Sequence, residues 1–397
     1  MSRGGLATGS VIVAGGGPVG AATALSLAEL GFTVTLVDRG RPQPGLAAFG
    51  MDVRNVALSP QSAALLQQVD AWPSQAAAYQ KMRVWEERGT SQLEFDAASV
   101  GRSELGWLVE VAPLLERLWQ ALEAQPNVSL VFGSVVDVAP ADTGVTLCID
   151  NDGKINELQA QLLIACDGAN SAVRQALNVL IRNWQTGQMA VTTVVRTERP
   201  HDDTAWQRFL LDGPLALLPS TNPHLCSIVW SQSEVQAGVR MGLADADFCA
   251  VLTRASEGCL GQIQEAAPRQ AFPLNQQLAA TANPHQRVLL LGDALRVVHP
   301  LAGLGVNLGF EDLQELLSVM ARGVDFNLPG QWDKFARQRL LRSEIMLRSL
   351  KGLKELYGND NPWVGWLRNS GVGWFGRRQW LQRRAIEEAT GLRNFSS

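Results

Sequence analysis

Residues Val11–Gly20 read V-I-V-A-G-G-G-P-V-G, and this stretch decides the fold of the chain. Its four apolar residues predict a buried parallel strand, and Gly15, Gly17 and Gly20 follow with GxGxxG spacing at the turn into a helix. Gly15 allows a sharp turn, Gly17 lets the backbone approach a ligand closely, and Gly20 lets the helix pack on the strand. Because the free N–H groups and the positive end of the helix dipole face one space, the turn predicts a pyrophosphate site.

A second strand with a terminal acid supports this interpretation. Thr33–Val37 is predicted as a strand one helix later, and Asp38 follows it about 20 residues after the glycines. An acid in that position accepts hydrogen bonds from both hydroxyls of a ribose. The order of strand, glycine turn, helix, strand and acid favours a Rossmann-like α/β nucleotide-binding domain over an ordinary glycine-rich turn.

Length and composition limit the class of protein. A chain of 397 residues with 46% hydrophobic residues can form two domains, or one large elaborated domain, around a substantial core. Its net charge of -4 provides no basic field for a nucleic-acid partner. The five widely spaced cysteines predict buried thiols in a reducing compartment rather than a metal site. No secretory leader or apolar run of about 18 residues is evident, so we expect a cytoplasmic protein.

A second sheet is predicted from strand-like segments outside the nucleotide-binding pattern. The apolar period changes to two between Lys81 and Asp96, which predicts a hairpin around Arg88-Gly89-Thr90. Segments between Met189 and Trp230 predict an antiparallel sheet that forms one wall of a substrate cavity. The remaining predicted elements are helices over 59–69, 113–124 and 245–259, a strand over 128–132, a meander over 135–161, and a short strand at 272–274 that returns the chain to the first domain.

Two further buried strands deliver acids and glycines. Leu162–Cys166 runs into Asp167, and Val288–Leu291 runs into Gly292 and Asp293. The stretch H-P-L-A-G-L-G-V-N-L-G over His299–Gly309 then predicts a second glycine-rich helix start, whose free N–H groups can bind an electron-rich edge of a ligand. Because two such sites occur far apart in the sequence, we expect them to bind the two ends of one long cofactor.

Taken together, these segments resemble a known family. The patterns V-A-G-G-G-P-V-G with Asp38, C-D-G-A-N-S-A-V-R, and L-L-L-G-D-A with H-P-L-A-G-L-G-V-N-L-G are similar to the three motifs of class A flavoprotein aromatic hydroxylases, which share the para-hydroxybenzoate hydroxylase fold. The motifs occur in the family order over nearly the whole chain. D-V-R-N-V-A-L-S at 52–59, T-A-W-Q-R-F-L-L-D-G-P-L-A-L-L-P at 204–219 and L-Q-R-R-A-I-E-E-A-T-G-L at 381–392 resemble the ubiquinone-biosynthesis hydroxylases, particularly those acting on a 3-methyl-6-methoxy-polyprenyl-benzoquinol.

The resemblance implies FAD as the cofactor, NAD(P)H as a transient electron donor and O2 as the oxidant. FAD would be held by residues of all three motifs: Gly15, Gly17 and Gly20 on the pyrophosphate, Asp38 on the adenosine ribose, Asp167 as a supporting residue, Gly292 and Asp293 at the ribityl chain, and Gly303, Leu304, Gly305, Val306 and Asn307 along the flavin ring. The implied catalytic residues are Arg54, near the mobile flavin, Arg296, and Pro300, which would face the position where the flavin reacts with oxygen.

Two positions depart from the family pattern. Arg296 stands where the family usually has a histidine, and Leu304 stands where it usually has a glutamine. Backbone donors at Gly303 and Gly305 survive both changes, so we expect flavin binding to survive. Arg296 either places a fixed positive charge near the flavin or a phenolate, or it points to solvent. Arg54 has the same two interpretations, a cofactor contact or a solvated structural arginine.

The carboxyl-terminal segment is basic and aromatic. Between Lys334 and Arg393 there are 13 basic residues and five acids, a local excess of +8, interleaved with tryptophans. This mixture is suited to a membrane interface, where indoles and basic side chains both rest comfortably. The alternative is that the aromatic residues pack on the FAD-binding domain or on a partner chain.

These observations lead to one expected function and two alternatives. The expected function is FAD-dependent hydroxylation of a polyprenylated benzoquinol or phenol in ubiquinone biosynthesis, by a cytoplasmic protein that is peripheral on the inner membrane and can assemble with other ubiquinone-biosynthesis proteins. The alternatives are hydroxylation of another aromatic substrate and a flavin-binding, non-catalytic subunit of a biosynthetic complex. The expected organisation is an FAD-binding domain over 1–75, 101–182 and 276–345, an interleaved antiparallel substrate domain over 76–100 and 183–275, and C-terminal helices over 346–397.

Overall fold

The computed structural model describes residues 9–43, 45, 47–87, 92–298, 304–328 and 330–357. Within these residues there are eight α-helices: α1 Pro18–Glu29, α2 Pro60–Gln68, α3 Val111–Ala124, α4 Ala172–Ala176, α5 Glu234–Gly242, α6 Asp245–Ala255, α7 Leu304–Met320 and α8 Asp333–Tyr357.

The same residues contain the strands of six sheets. In chain order they are β1 Ser10–Ala14, β2 Thr33–Asp38, β3 Ala47–Ala48, β4 Met51–Asp52, β5 Asn55–Leu58, β6 Ala76–Tyr79, β7 Lys81–Glu86, β8 Gln92–Asp96, β9 Gly106–Glu110, β10 Val128–Phe132, β11 Ser134–Pro140, β12 Val145–Asn151, β13 Lys154–Ala160, β14 Leu162–Ala165, β15 Ile181–Trp184, β16 Gln188–Thr197, β17 Thr204–Leu210, β18 Gly213–Pro219, β19 Leu225–Ser233, β20 Ile263–Ala266, β21 Gln270–Pro273, β22 Gln276–Ala279, β23 Val288–Leu290 and β24 Arg296–Val297.

A five-stranded parallel sheet has the order β10-β2-β1-β14-β23. The strand of the opening stretch, β1, lies at its centre, with Val13 opposite Leu36 of β2 on one side and Ile164 of β14 on the other. Its apolar residues are buried because both neighbours are strands and both faces of the sheet are covered. The predicted Rossmann-like α/β architecture is confirmed.

Helices cover one face of the parallel sheet and a small sheet covers the other. On the helical face, α1, α3 and α7 pack around Val11 and Val13, and the small side chains of α1 let it lie close to the strands. On the opposite face, the predicted meander β11-β12-β13 packs Leu147 and Ile149 against β1 and β14. The carboxyl edge of the sheet is thereby left for the glycine turns.

A larger mixed sheet has the order β20-β16-β19-β18-β17-β7-β8, and β21 also pairs with β16. The predicted hairpin β7–β8 is present, and most other neighbours are antiparallel, as predicted. The pairing of β7 with β17 is parallel, which was not predicted. One face of this sheet packs against α5 through Ala237 and against α6 through Phe248 and Leu252.

Two predicted elements end or connect differently. The strand near Phe272 was expected to return the chain to the first domain, but β21 pairs with β16, so it still belongs to the mixed sheet. The chain leaves that sheet at β22, which pairs with β15 and β24. Helix α6 ends at Ala255 rather than at 259, because Glu257 and Gly258 adopt positive φ angles of 54° and 59° that a helix does not tolerate.

Helix α7 begins earlier than the glycine pattern predicted. It starts at Leu304, so Gly305 and Gly309 are helical residues rather than parts of a loop. A Cβ atom at Gly309 would collide with Cγ2 of Val19 in α1. Gly309 therefore allows the close approach of α1 and α7.

Part of the basic carboxyl-terminal segment points inward. Arg339 is buried, and Arg342 is partly buried beside Glu311, so these two residues do not contribute to a solvated basic surface. The five aromatic residues from Trp363 to Trp380 lie outside the described residues. The expected division of the chain into domains also stays a prediction. No helix in the described ranges combines the length and the apolarity needed to cross a bilayer.

We expect Gly309→Ala to destabilise the protein by about 1–3 kcal/mol, because the added methyl group overpacks the contact between α1 and α7. Gly238→Ala is the matched control, since no heavy atom of the described residues lies within 4 Å of the added Cβ in exposed helix α5. The control should stabilise α5 by about 0.5–1 kcal/mol through helix propensity. Urea unfolding of both variants measures the two changes in the free energy of unfolding. Equal changes in the two variants would contradict the role of Gly309 in the packing of α1 on α7.

Candidate functional site

The first glycine turn has a distinct requirement at each position. Gly15 has a φ of +101°, and a Cβ there would lie 2.5 Å from the carbonyl oxygen of Cys166. At Gly20, a Cβ would collide with the carbonyl oxygen of Gly15. Gly17 caps the amino terminus of α1, and no heavy atom of the described residues lies within 4 Å of its Cβ position. The free N–H groups of α1 therefore open onto space that can receive an anion.

Asp38 lies at the end of β2, beside this turn. Its Oδ2 accepts a hydrogen bond from the N–H of Gly16 at 2.6 Å, and its Oδ1 accepts one from Gly40 at 3.2 Å. The carbonyl oxygen of Gly16 accepts a hydrogen bond from Nε1 of Trp119 at 2.9 Å. The Gly16 peptide is thus held from both sides, and the predicted ribose contact of Asp38 stays a prediction.

The second glycine-rich segment meets the first at α1. Gly292 follows β23 with a φ of +57°, and its Cβ position lies 3.5 Å from Cγ1 of Val19. The same Val19 side chain packs on Gly309, and the Cβ position of Gly305 lies 4.0 Å from Oδ1 of Asp293. Residues from both ends of the sequence are therefore brought to one edge of the parallel sheet, where one elongated ligand can span them.

A buried carboxylate that no sequence motif indicated holds this region together. Asp312 in α7 is 0% exposed, and its Oδ2 accepts hydrogen bonds from the N–H of Gly292 at 3.0 Å and from Nη1 of Arg296 at 2.6 Å. Its Oδ1 accepts a bond from Nε of Arg339 at 2.6 Å. Removing the carboxylate would leave two buried guanidinium groups without this partner, a loss of about 3–5 kcal/mol. Burial lowers the pKa of Arg339, but Asp312 and Glu311 outweigh it and the net pKa is raised.

The environment of Arg296 excludes one of its two interpretations. The residue is 2% exposed, so the interpretation that it points to solvent is wrong. Its Nη1 binds Asp312, whereas Nε and Nη2 are buried and have no hydrogen-bond partner among the described residues. A role of its charge toward the flavin or the substrate stays a prediction.

Asp293 has an unusual electrostatic environment. Its side chain is exposed, yet the mass of protein around it desolvates the carboxylate and raises its pKa. Arg296 lowers the pKa and Asp312 raises it further, and the net direction is upward. A hydrogen-bond donor placed beside this desolvated carboxylate, such as a hydroxyl group, would stabilise its charged form.

The middle motif is tied to the late motif by a buried arginine. Asp167 accepts a hydrogen bond from the N–H of Val173 at 3.1 Å, next to the turn in which Ser171 caps α4. Arg174 donates from Nη1 to the carbonyl oxygen of Ala294 at 2.9 Å and from Nη2 to that of Ala169 at 2.6 Å. Arg174 is the last residue of the middle motif, and the motif alone does not predict this connection.

The side chain of Asn307 has a structural role. Its Nδ2 donates to the carbonyl oxygen of Ala57 at 2.7 Å, and its Oδ1 accepts from the N–H of Ser59 at 2.9 Å and from Oγ of Ser62 at 2.6 Å. These bonds fix the first turn of α7 to the junction of β5 and α2. Of the other residues predicted around the flavin, Val306 lies in the same turn, whereas Pro300, Gly303 and the side chain of Leu304 lie outside the described residues.

A cavity of about 300 Å³ lies between this junction and the mixed sheet. Arg54 lines it, and the backbone of Arg54 is fixed by Oδ1 of Asp52 at 3.0 Å and by the N–H of Val111 at 2.9 Å. Asp52 also accepts a bond from Ala112, in the first turn of α3. The other lining residues are Val53, Asn55, Val56, Ala57, Tyr79, Met82, Val111, Thr192, Ala205, Trp206, Gln207, Ala216, Leu218, Ser227, Val229, Gln270 and Phe272.

The residues present fit FAD, since an open helix amino terminus, an acid after β2 and a second helix start lie along one edge of the sheet. A family model described as FAD binding domain matches residues 8–342. The chain belongs to the FAD-binding-domain family. FAD is therefore the cofactor of this FAD-binding protein, and the residues predicted to contact it remain candidates.

Curated relatives and solved structures resemble the FAD-binding protein over nearly its whole length. It is 33% identical over 393 residues to the 3-demethoxyubiquinol 3-hydroxylase of Escherichia coli, covering 96% of this chain and 98% of that protein. It is 30% identical over 420 residues to the human ubiquinone biosynthesis monooxygenase COQ6, covering 91% and 88%. The structure of p-nitrophenol 4-monooxygenase PnpA from Pseudomonas putida has a TM-score of 0.75 at 19% identity, covering 98% and 99% of the two chains, which shows the shared fold.

We expect Gly17→Ala to weaken FAD binding about tenfold, the equivalent of one lost phosphate hydrogen bond, with little change in stability. The methyl group has room in the protein but occupies the space in front of α1. Gly20→Ala is the contrasting variant, since its methyl group meets the Gly15 carbonyl and should lower the free energy of unfolding. Flavin fluorescence titration measures FAD binding, and urea unfolding measures stability. A destabilised Gly17→Ala variant would contradict the conclusion that the space in front of α1 is open.

Asp293→Asn should change the pH dependence of stability in FAD-stripped protein. Because the folded pKa of Asp293 is raised, the folded state keeps a proton that the unfolded state loses, and stability falls as pH rises through that range. The variant lacks this loss, so its stability relative to the parent should increase as the pH rises above about 4, the usual pKa of an aspartate in an unfolded chain. Urea unfolding across this range measures the difference, and a pH-independent difference would refute the raised pKa.

Proposed function

We propose that this FAD-dependent enzyme hydroxylates the ring of a polyprenylated benzoquinol in ubiquinone biosynthesis, with NAD(P)H as electron donor and O2 as oxygen source. The observation that carries the proposal is the 33% identity, over 96% of the chain, to a protein named 3-demethoxyubiquinol 3-hydroxylase. FAD supplies the redox chemistry when bound, and the residues of the chain hold it, exclude water and orient the substrate.

The cavity lined by Arg54 supports an aromatic, largely apolar substrate. Most of its wall is apolar, with Met82, Ala216 and Val229 on three different strands. Asn55 and Gln207 provide amide groups that can orient ring oxygens. A few polar groups in an apolar wall match a quinol ring with a hydrocarbon tail better than they match a strongly charged substrate.

The position of the cavity supports chemistry at the flavin end of the cofactor. Ala57 lines the cavity, and its carbonyl oxygen is bound by Asn307 in the first turn of α7. The predicted flavin segment and the predicted substrate space therefore share one wall. Arg54 contributes a permanent positive charge there, suited to a phenolate that develops as the ring is activated.

Access from a membrane is part of the proposal. A polyprenyl tail partitions into a bilayer, and a basic, tryptophan-rich carboxyl-terminal segment suits an interface. Contact with other ubiquinone-biosynthesis proteins would serve the same purpose of delivering a poorly soluble substrate.

The activity is tested with FAD-loaded protein, NADH or NADPH, O2 and a methoxy-methyl-benzoquinol that carries a short isoprenoid tail. The expected result is NAD(P)H oxidation coupled to a product that is one oxygen atom heavier by mass spectrometry. NAD(P)H oxidation without an oxygenated product from any benzoquinol or phenol would contradict the proposed hydroxylation.

Ala216→Phe should lower kcat/KM for the quinol at least about tenfold, because the ring fills the cavity that the substrate needs. FAD content should remain unchanged, since Ala216 belongs to the mixed sheet and not to the glycine turns. Ala139→Phe, at an exposed position of β11, is the matched control. Equal kcat/KM in Ala216→Phe and the parent would place the substrate elsewhere.

A further inference from the structure

The indole of Trp119 connects helix α3 to the first glycine turn. The residue is 4% exposed, and its Nε1 donates a hydrogen bond to the carbonyl oxygen of Gly16 at 2.9 Å. A Cβ atom at Gly16 would lie 2.5 Å from Cζ2 of the same indole. Gly16 occupies a position of the GxGxxG pattern that admits any residue, so the contact with Trp119, and not the pattern, requires a glycine there.

This hydrogen bond sets the direction of a neighbouring donor. The carbonyl group of Gly16 and the N–H of Gly17 belong to one peptide, and the described residues contain no cis peptide bond. In a planar trans peptide, the C=O and the N–H point in opposite directions. Because Trp119 holds the carbonyl group, the N–H of Gly17 points away from the indole. Among the described residues, this N–H has no hydrogen-bond acceptor.

The peptides before Gly16 are held as well. The N–H of Gly16 donates to Oδ2 of Asp38 at 2.6 Å, and the N–H of Gly15 donates to the carbonyl oxygen of Val37 at 2.7 Å. Contacts within the protein therefore fix the turn before a ligand binds. A donor that is already oriented binds its acceptor at a lower entropic cost.

The N–H of Gly17 is one of few donors at this end of α1. A helix leaves the backbone N–H groups at its start without intrahelical acceptors. Gly17 caps α1, and Pro18 at the first helical position has no N–H, so the donors that remain are those of Gly17, Val19 and Gly20. The orientation of each one then matters more for an anion in front of the helix.

We propose that Trp119 is a positioning residue for FAD, which orients the N–H of Gly17 toward the pyrophosphate. The ring of Phe132 lies parallel to the indole, with an interplanar angle of 6° and ring centres 6.1 Å apart, and it limits the tilt of the indole. Trp119 thus acts on the cofactor through the Gly17 peptide. The proposal depends on FAD as the cofactor and not on the identity of the substrate.

Two substitutions at Trp119 separate the hydrogen bond from the packing. Trp119→Phe keeps an aromatic ring against Phe132 but has no N–H. Trp119→His loses the larger ring, yet its Nε2 stands at the same place in the five-membered ring as the indole Nε1 and can carry a hydrogen. Flavin fluorescence titration of the full chain should give an FAD Kd about fivefold higher in Trp119→Phe than in the parent, with Trp119→His between the two. An unchanged Kd in Trp119→Phe, or a Kd closer to the parent than that of Trp119→His, would overturn the proposal.

Trp332→Phe is the matched control. Trp332 is 1% exposed, belongs to the same hydrophobic core as Trp119, and donates from Nε1 to the carbonyl oxygen of Gln286 at 3.0 Å. Because this acceptor lies outside the glycine turn, the substitution should lower the free energy of unfolding about as much as Trp119→Phe does and leave the FAD Kd unchanged. An equal rise of the FAD Kd in both variants would mean that general destabilisation, and not the orientation of Gly17, weakens binding.

ADP and adenosine locate the effect within the cofactor. Both are measured as competitors of FAD, and they differ in the pyrophosphate alone. Trp119→Phe should weaken ADP binding about fivefold and leave adenosine binding unchanged, because the N–H of Gly17 serves the phosphates. Equal weakening of the two competitors would contradict the proposed orientation of Gly17.

The Gly17→Ala background tests whether Trp119 acts through Gly17. The added methyl group already occupies the space in front of α1, so a further Trp119→Phe substitution should raise the FAD Kd by less than about twofold. Effects of independent sites add. A further increase of about fivefold in the double variant would therefore refute an action through the Gly17 peptide.

Discussion

The buried carboxylate of Asp312 is the group on which the late half of the site depends. It binds the turn after β23, the strand β24 and the helix α8 at once, through Gly292, Arg296 and Arg339. A buried charge in this position is tolerated only because both carboxylate oxygens accept hydrogen bonds. These bonds can form together in only one arrangement of the turn and the helices. That arrangement therefore also determines where Asp293 and the start of α7 lie.

Local patterns predicted much of the fold and one arm of the site. The glycine turn at Gly15, Gly17 and Gly20 could be identified because its three glycines have a fixed spacing between a strand and a helix. The central parallel strand could be identified because it is a continuous apolar run. The hairpin β7–β8 and the meander followed from a period of two. For the same reason, the resemblance to flavoprotein hydroxylases could be stated from short motifs in a fixed order.

Contacts between distant residues could not be predicted in this way. Arg296 looked like an isolated substitution, because its partner Asp312 lies on a helix whose other residues are mostly apolar or surface-directed. The parallel pairing of β7 with β17 and the true end of α6 depend on tertiary packing and on backbone angles, neither of which periodicity reports. Asn307 was placed at the flavin by resemblance, whereas its side chain serves the junction between β5 and α2.

The strand order of the parallel sheet has a consequence for synthesis on the ribosome. Strands β10, β2, β1 and β14 are complete once residue 165 has emerged, but β23 is made only at residues 288–290. Until then, the buried strand β14 presents an open edge of apolar residues, and Val19 has neither Gly292 nor Gly309 to pack against. The nascent chain thus exposes an aggregation-prone strand edge while more than a hundred further residues are synthesised. The cell must shield this edge from neighbouring chains.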